Sequence, residues 1–225
     1  MIILAIDTSL AAASVCVYDG SKSEVLARET LAMERGQDQA LLPMIDRVVA
    51  EGAGSAAKIQ RVAVTVGPGS FTGIRIGISA ARAIGLALDA PVVGVSTLAA
   101  FAAPVVLEKS NGVVAAAIDA RHGRVYVTAL AGGRPVVAPR VCLPKEAVRA
   151  MGSGPLWLCG PSAPAIAAEA RAIGLAAEVV DDRVEPDITF VARLGQMADA
   201  GSAAARPSYM RAPDIRTPAS PSLTA

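Results

Sequence analysis

The chain has 225 residues, long enough for one large domain or two lobes of about 100 residues each, with a sizeable buried core. Its 21 Lys and Arg against 20 Asp and Glu leave a formal net charge of +1, so no global field steers it toward nucleic acid or lipid, and RNA binding by the chain alone is expected to be weak. Hydrophobic residues make up 53% and mean hydropathy is +0.47, but the excess is largely alanine and aromatics are only 3%, which predicts a small-residue, helix-rich core.

The opening MIILAIDTS has no basic leader and carries Asp7 inside its apolar run, so neither signal peptide nor membrane anchor is expected, and the chain is expected to be cytoplasmic. Residues 2–6 predict a strand running into Asp7-Thr8-Ser9. Residues 13–18 predict a second strand ending at Asp19-Gly20, and 24–31 a third that completes a meander. Asp-Thr-Ser at a hairpin tip suits an ordinary turn, or a grip on phosphate through N–H groups and hydroxyls with the carboxylate holding a hydrated cation. From 37 to 50, Leu41, Leu42, Ile45, Val48 and Val49 keep helical spacing, with Pro43 near the start. A small-residue loop follows at 52–57.

Residues 62–89 organise the chain. A β-branched apolar run at 62–66 stops at Gly67-Pro68, and Ser70 or Thr72 can cap a long helix that carries only Arg75 and Arg82 as charges before Asp89. That helix is apolar nearly all round, so it must be covered nearly all round. Gly73, Gly77, Ala81 and Gly85 recur every fourth residue and form a strip that a neighbouring element can approach closely. Either the strip belongs to a buried core helix, or another protein chain covers part of it. Catalytic readings of the loop fail on spacing: no Lys follows the position a Walker A loop requires, Thr72 replaces the third Gly of a dinucleotide fingerprint, and Ser70 lacks the flanking glycines of a nucleophile elbow.

Residues 91–95 predict a strand and 97–108 a helix; Pro91, Gly94 and Pro104 divide the uncharged run 90–107, which argues for a buried pair of elements and against a membrane span. The second half repeats the first. Residues 113–118 lead into Asp119-Ala120-Arg121-His122-Gly123, then 125–130 and 135–141 flank a Gly132-Gly133 turn, which predicts two similar α/β lobes with mixed sheets and flanking helices. A strand at 156–159 ends in Gly160-Pro161-Ser162, before a helix at 163–173, a short strand at 178–180 and a helix at 188–200. The expected division is an N-terminal lobe 1–108, a smaller C-terminal lobe 109–201, and a tail 202–225 that is loose beyond about 212. Cys16, Cys142 and Cys159 are isolated and sit in apolar runs, as buried reduced thiols do, and His122 alone builds no metal site.

Duplicated lobes with Asp at each hairpin tip resemble the actin, Hsp70 and sugar-kinase (ASKHA) superfamily. Within it, IDTS at 6–9, LLPMI at 41–45, GPGSFTGIRIG at 67–77, DAR at 119–121 with VY at 125–126, and PSYMR at 207–211 resemble the TsaB family, also called YeaZ, across nearly the whole chain. The resemblance implies a protein needed to make threonylcarbamoyladenosine beside the anticodon of tRNAs reading codons that begin with A. It implies a non-catalytic role: a related TsaD carries the metal and transfers the threonylcarbamoyl group, TsaE hydrolyses ATP, and TsaB pairs with TsaD. No cofactor is then expected in the isolated chain, ATP or ADP and Mg enter only in complex with TsaD and TsaE, tRNA is met only through the complex, and a homodimer forms at most when the partner is absent. TsaD places metal-binding histidines on the helix corresponding to 37–50, which here has none; many relatives carry a histidine just before LLP, where this chain has Gln37-Asp38-Gln39. Asp7, Thr8, Ser9, Asp119 and Gly160 match nucleotide-site positions of the superfamily that look degenerate in TsaB chains.

The resemblance also sets helices 37–50 and 71–88 side by side. Leu41, Leu42, Ile45, Gly73, Ile74, Gly77, Ile78, Ala81 and Gly85 would then form a two-helix partner interface, with the small strip at the centre of a four-helix bundle. Two other readings stand beside it. An ATP-dependent small-molecule phosphotransferase needs Asp7 and Asp119 in one cleft; a glycoprotease-like peptidase lacks both a metal dyad and a Ser/His/Asp set.

Overall fold

The first strand is apolar on both faces, and in the computed structural model, which describes residues 1–210, it is accordingly central. β1 (Ile2–Asp7) pairs antiparallel with β2 (Ala12–Asp19), and β2 with β3 (Glu24–Ala32). On its other side β1 runs parallel to β4 (Arg61–Gly67), and β4 to β5 (Val92–Ser96), giving the order β3-β2-β1-β4-β5. With Ile6 opposite both Val15 and Val64, one face collects Leu4, Ile6, Val15, Val17, Val62 and Val64, and the other Ile3, Ala5, Cys16, Tyr18, Ala63 and Val93. The first face is covered by α1 (Gln37–Gly52) and α2 (Phe71–Leu88).

The second half builds the same sheet again. β6 (Val113–Asp119), β7 (Val125–Ala131) and β8 (Arg134–Cys142) form the antiparallel meander, while β9 (Leu156–Cys159) and β10 (Ala177–Asp181) add in parallel, in the order β8-β7-β6-β9-β10. α4 (Pro144–Met151) and α5 (Ala163–Ala172) cover the outer face of this sheet. The duplication read from the sequence is therefore real, and the architecture is the two-lobe actin/Hsp70/sugar-kinase type.

One boundary differs from expectation. α3 (Thr97–Glu108), placed by chain order with the first lobe, packs Leu98, Phe101, Ala102 and Val105 against Val114, Ala116 and Ile118 of the second sheet. α6 (Ile188–Met197), placed with the second, packs Ile188, Val191 and Ala192 against Ile3, Ala5 and Ala63 of the first. Each inner sheet face is apolar, and the helix that follows the last strand of each half covers the other half's sheet, so the division at residue 109 does not separate two cores.

The start of the tail is tied down. Residues 203–205 lie along β5: Gly94 N–H donates to Ala203 O at 2.8 Å and Val93 bridges Ala204, so the edge strand is covered. The segment expected to be loose beyond about 212 lies outside the described residues. α4 has no counterpart among the predicted elements. It is two turns long, opened by Pro144 and by Glu146, whose Oε2 accepts the Leu143 N–H at 2.9 Å. All three cysteines are buried free thiols.

Candidate functional site

Asp7 ends β1 at 0% exposure. Its Oδ1 accepts the Ser9 N–H (3.1 Å), the Ser9 hydroxyl (2.6 Å) and the Thr65 hydroxyl (2.5 Å), while Oδ2 is buried with no hydrogen-bond partner among the described residues. Burial pushes this carboxyl above its ordinary range, against the lowering effect of the Ser9 and Thr65 bonds. The Thr8 hydroxyl donates to Gly73 O at 2.7 Å, and Ser9 O accepts the Ser70 N–H at 2.7 Å. The turn leading into α2 thus closes directly onto the Asp-Thr-Ser tip. A Cβ at Gly69 would stand 2.2 Å from Ser9 O, and one at Gly73 would stand 2.0 Å from Thr8 O, so both positions need glycine for the approach. IDTS and GPGSFTG are two halves of one joint.

That joint uses the groups a phosphate grip would need. The Thr8 hydroxyl is committed to Gly73, and the Ser9 hydroxyl and N–H to Asp7. In this arrangement the Thr8 and Ser9 hydroxyls and the Ser9 N–H are not free to donate to a phosphate. A cleft of about 700 Å³ does open between the lobes, lined by Ser70, Phe71, Asp119, Arg121, Tyr126 and Tyr209 among others. Asp119 is exposed there and accepts the Arg121 N–H at 2.9 Å, but Asp7 is not among the lining residues, so the two aspartates do not share the cleft. Gly160 is buried with φ +89°, a Cβ there would lie 2.5 Å from Ala117 O, and its neighbour Pro161 reaches the cleft. Among the described residues no three His, Cys, Asp or Glu side chains gather as a metal site would require.

The helix pair α1–α2 forms as expected, but the small strip points the other way. Gly73, Ile74, Gly77, Ile78, Ala81 and Gly85 are all buried inside the chain. A Cβ at Gly77 would meet the Thr8 hydroxyl at 2.5 Å, and one at Gly85 would meet Val92 at 2.2 Å, so the strip is seated on the chain's own sheet. Leu41 and Ile45 are buried as well, at 1% and 6%. Of the nine residues assigned to the partner interface, only Leu42 is well exposed, at 55%. The physical reason is that the sheet, with its β-branched ridges, needs close approach as much as a partner helix would.

Apart from Leu41 and Leu42, the outward surface consists of residues outside the nine assigned to the interface. A groove of about 480 Å³ between the helices is lined by Leu41, Leu42, Thr72, Arg75, Ile76, Ser79, Ala80 and Ala83, with Asp38 at its edge. Leu86, further along α2, is 86% exposed. α2 is apolar and long enough by composition to cross a membrane, yet 33% of it is buried, and that part is the face on the sheet. At its start Arg75 lies 3.8 Å from the Phe71 ring centroid and donates to the Tyr209 hydroxyl at 2.9 Å, while Tyr209 stacks on Phe71 at 4.7 Å. This is how residues of the PSYMR segment reach the helix.

Known proteins share this fold. A structure of YeaZ from Pseudomonas aeruginosa superposes with TM-score 0.73 at 26% identity, covering 92% of this chain and 99% of that one. The ethanolamine utilization protein EutJ from Carboxydothermus hydrogenoformans, at TM-score 0.50 and 13% identity, shares the fold alone. In sequence, the tRNA threonylcarbamoyladenosine biosynthesis protein TsaB of Haemophilus influenzae is 34% identical over 160 residues, 65% of this chain and 66% of that one. TsaB of Escherichia coli is 40% identical over 130 residues, 56% and 53%. The chain therefore matches about half to two thirds of the length of these curated relatives. The family model described as TsaD, tRNA N6-adenosine threonylcarbamoyltransferase, matches residues 24–198. With that match spanning both sheets, and the joined IDTS and GPGSFTG halves in place, the chain belongs to the TsaD family, on its TsaB (YeaZ) branch.

Proposed function

We propose that the chain is a non-catalytic partner subunit in threonylcarbamoyladenosine biosynthesis on tRNA, pairing through the outer faces of α1 and α2 with a TsaD-like transferase and working alongside a TsaE-like ATPase in the cytoplasm. The observation that carries this reading is the apolar groove along Leu42, Ile76, Ala80 and Ala83, continued by the exposed Leu86. Such a two-helix face suits a matching pair of helices from a chain of the same fold. A second copy of this chain would fit it too when the transferase is missing. In this reading ATP or ADP and Mg are held only by the assembled complex, consistent with the committed groups at the Asp-Thr-Ser tip.

The test is size-exclusion chromatography of the full chain mixed with the TsaD-like protein of the same cell. The wild type should co-elute with it. Leu42→Glu and Ala83→Glu place charges on exposed positions, so each should stay folded by circular dichroism while weakening pairing by about 2 kcal/mol or more, roughly 30-fold. Normal pairing by both folded variants defeats the assignment. Calorimetry of the isolated chain with ATP and Mg should show no binding; micromolar affinity with turnover would favour a phosphotransferase instead.

A further inference from the structure

The net charge of +1 conceals an asymmetry. Residues 121–149 hold Arg121, Arg124, Arg134, Arg140, Lys145 and Arg149 against one carboxylate, Glu146, a net +5 in 29 residues, so the rest of the chain carries −4. All six cations are exposed, and none forms an ion pair among the described residues. Glu146 is occupied in capping Leu143. The folding of β6, β7, β8 and α4 brings four of these cations to one end of the second lobe. The β6–β7 turn is closed by Ala120 N–H to Arg124 O (3.0 Å) and Arg124 N–H to Arg121 O (3.1 Å), which fixes the backbone of both arginines. Across the β7–β8 ladder, Cys142 lies opposite Val125 and Arg140 opposite Val127, and Lys145 follows within the first turn of α4. Burial raises the Cys142 thiol; Arg140, and more weakly Arg124, pull it down, while Glu146 adds to the rise. Arg121 lines the interlobe cleft beside Tyr126 and Tyr209.

We propose that Arg121, Arg124, Arg140 and Lys145 form a surface that contacts RNA phosphates directly. Exposed guanidinium groups, two of them on a hydrogen-bonded turn, suit phosphate oxygens, and tyrosines at the adjoining cleft offer rings on which an unstacked base can lie. The choice of RNA over another polyanion rests on the proposed role in tRNA modification. None of the four cations lines the α1–α2 groove, and the pairing test above alters only Leu42 and Ala83, so a failure here leaves that test unaffected.

The probe is an unmodified, fluorescently labelled tRNA transcript whose anticodon reads a codon beginning with A, titrated with the full chain by anisotropy at several salt concentrations. Three or four phosphate contacts predict a slope of log K against log salt of about −2 to −4. Arg124→Glu combined with Arg140→Glu should lower affinity at least about tenfold and reduce the slope by roughly 2, while Lys58→Glu, an exposed cation on the first lobe, should change affinity less than about twofold. Circular dichroism checks that each variant is folded. The proposal is overturned if the wild type does not bind, if the folded double variant binds with unchanged affinity and slope, or if Lys58→Glu weakens binding equally. It is also overturned if polyglutamate of equal charge competes as well as unlabelled tRNA, since the surface would then suit an acidic protein.

Discussion

Replacing Gly73 by alanine reads out which way the small strip faces. On a solvent-facing or partner-facing surface, Gly→Ala in a helix interior stabilises the free chain by about 1 kcal/mol. In this structure the new methyl would stand 2.0 Å from Thr8 O, and backbone lies behind that oxygen, so no side-chain rotation relieves the contact. Restoring an ordinary separation moves the start of α2 or the Asp-Thr-Ser tip by about an ångström or more. Two short hydrogen bonds cross that gap, the Thr8 hydroxyl to Gly73 O and the Ser70 N–H to Ser9 O, both 2.7 Å. Losing or stretching them costs about 1 kcal/mol each and overpacking about 1–3 kcal/mol, so after the propensity gain the net loss is about 2–4 kcal/mol. For a chain of this size that lowers Tm by about 5–15 °C. Thermal unfolding followed by circular dichroism measures it. A Gly73→Ala protein as stable as the parent, or more so, would refute the inward orientation of the strip.

Two further outcomes follow from the same packing. Ala81 is 0% exposed between α2 and the sheet, so Ala81→Arg should cost about 4 kcal/mol or more and leave the chain protease-sensitive; a folded Ala81→Arg monomer would mean that the strip faces outward after all. Asp7, raised by burial, stabilises the fold through its neutral form: that contribution is complete below the carboxyl's ordinary range and is lost as pH rises through the higher folded value. Asp7→Asn removes this dependence, so its stability relative to the parent, from urea midpoints, should improve as pH rises above the carboxyl's ordinary range; a constant difference would show that Asp7 titrates normally.

The strands, their duplicated order and most helix limits were legible because a period of two and Gly or Pro punctuation leave little choice at 2–31 and again at 113–141. The orientation of α2 was not. A helix with Ile74, Ile76, Ile78, Ile84, Leu86 and Leu88 has no polar face to rank the others by, and a strip of Gly and Ala fits a β-sheet as closely as it fits a helix. The exchange of α3 and α6 was hidden for a different reason: chain order does not say which sheet lies within reach, and α3 is apolar enough for either. α4 was missed because eight residues with three buried positions barely complete the helical period. The charge asymmetry was in the sequence but vanished in the total. Only the β6–β7–β8 ladder brings Arg124 and Arg140 together.

The joint at the Asp-Thr-Ser tip connects the fold to the docking face. In a two-lobe protein that grips a nucleotide, such a tip must keep its hydroxyls and N–H groups open to the cleft. Here the Thr8 hydroxyl and the Ser9 carbonyl fasten the start of α2, while the Ser9 hydroxyl and N–H hold Asp7. A rigid helix presents Thr72, Arg75 and Ile76 to the groove without first being ordered, and that ordering cost is what a partner would otherwise have to overcome. Phe71 and Tyr209, stacked with Arg75, fasten the same turn from the cleft side. Gly73 itself touches no partner in this arrangement. A shift of α2 caused by Gly73→Ala should therefore weaken pairing with the transferase even at temperatures where the variant remains folded, whereas a strip lying within the interface would lose pairing with no loss of stability in the free chain.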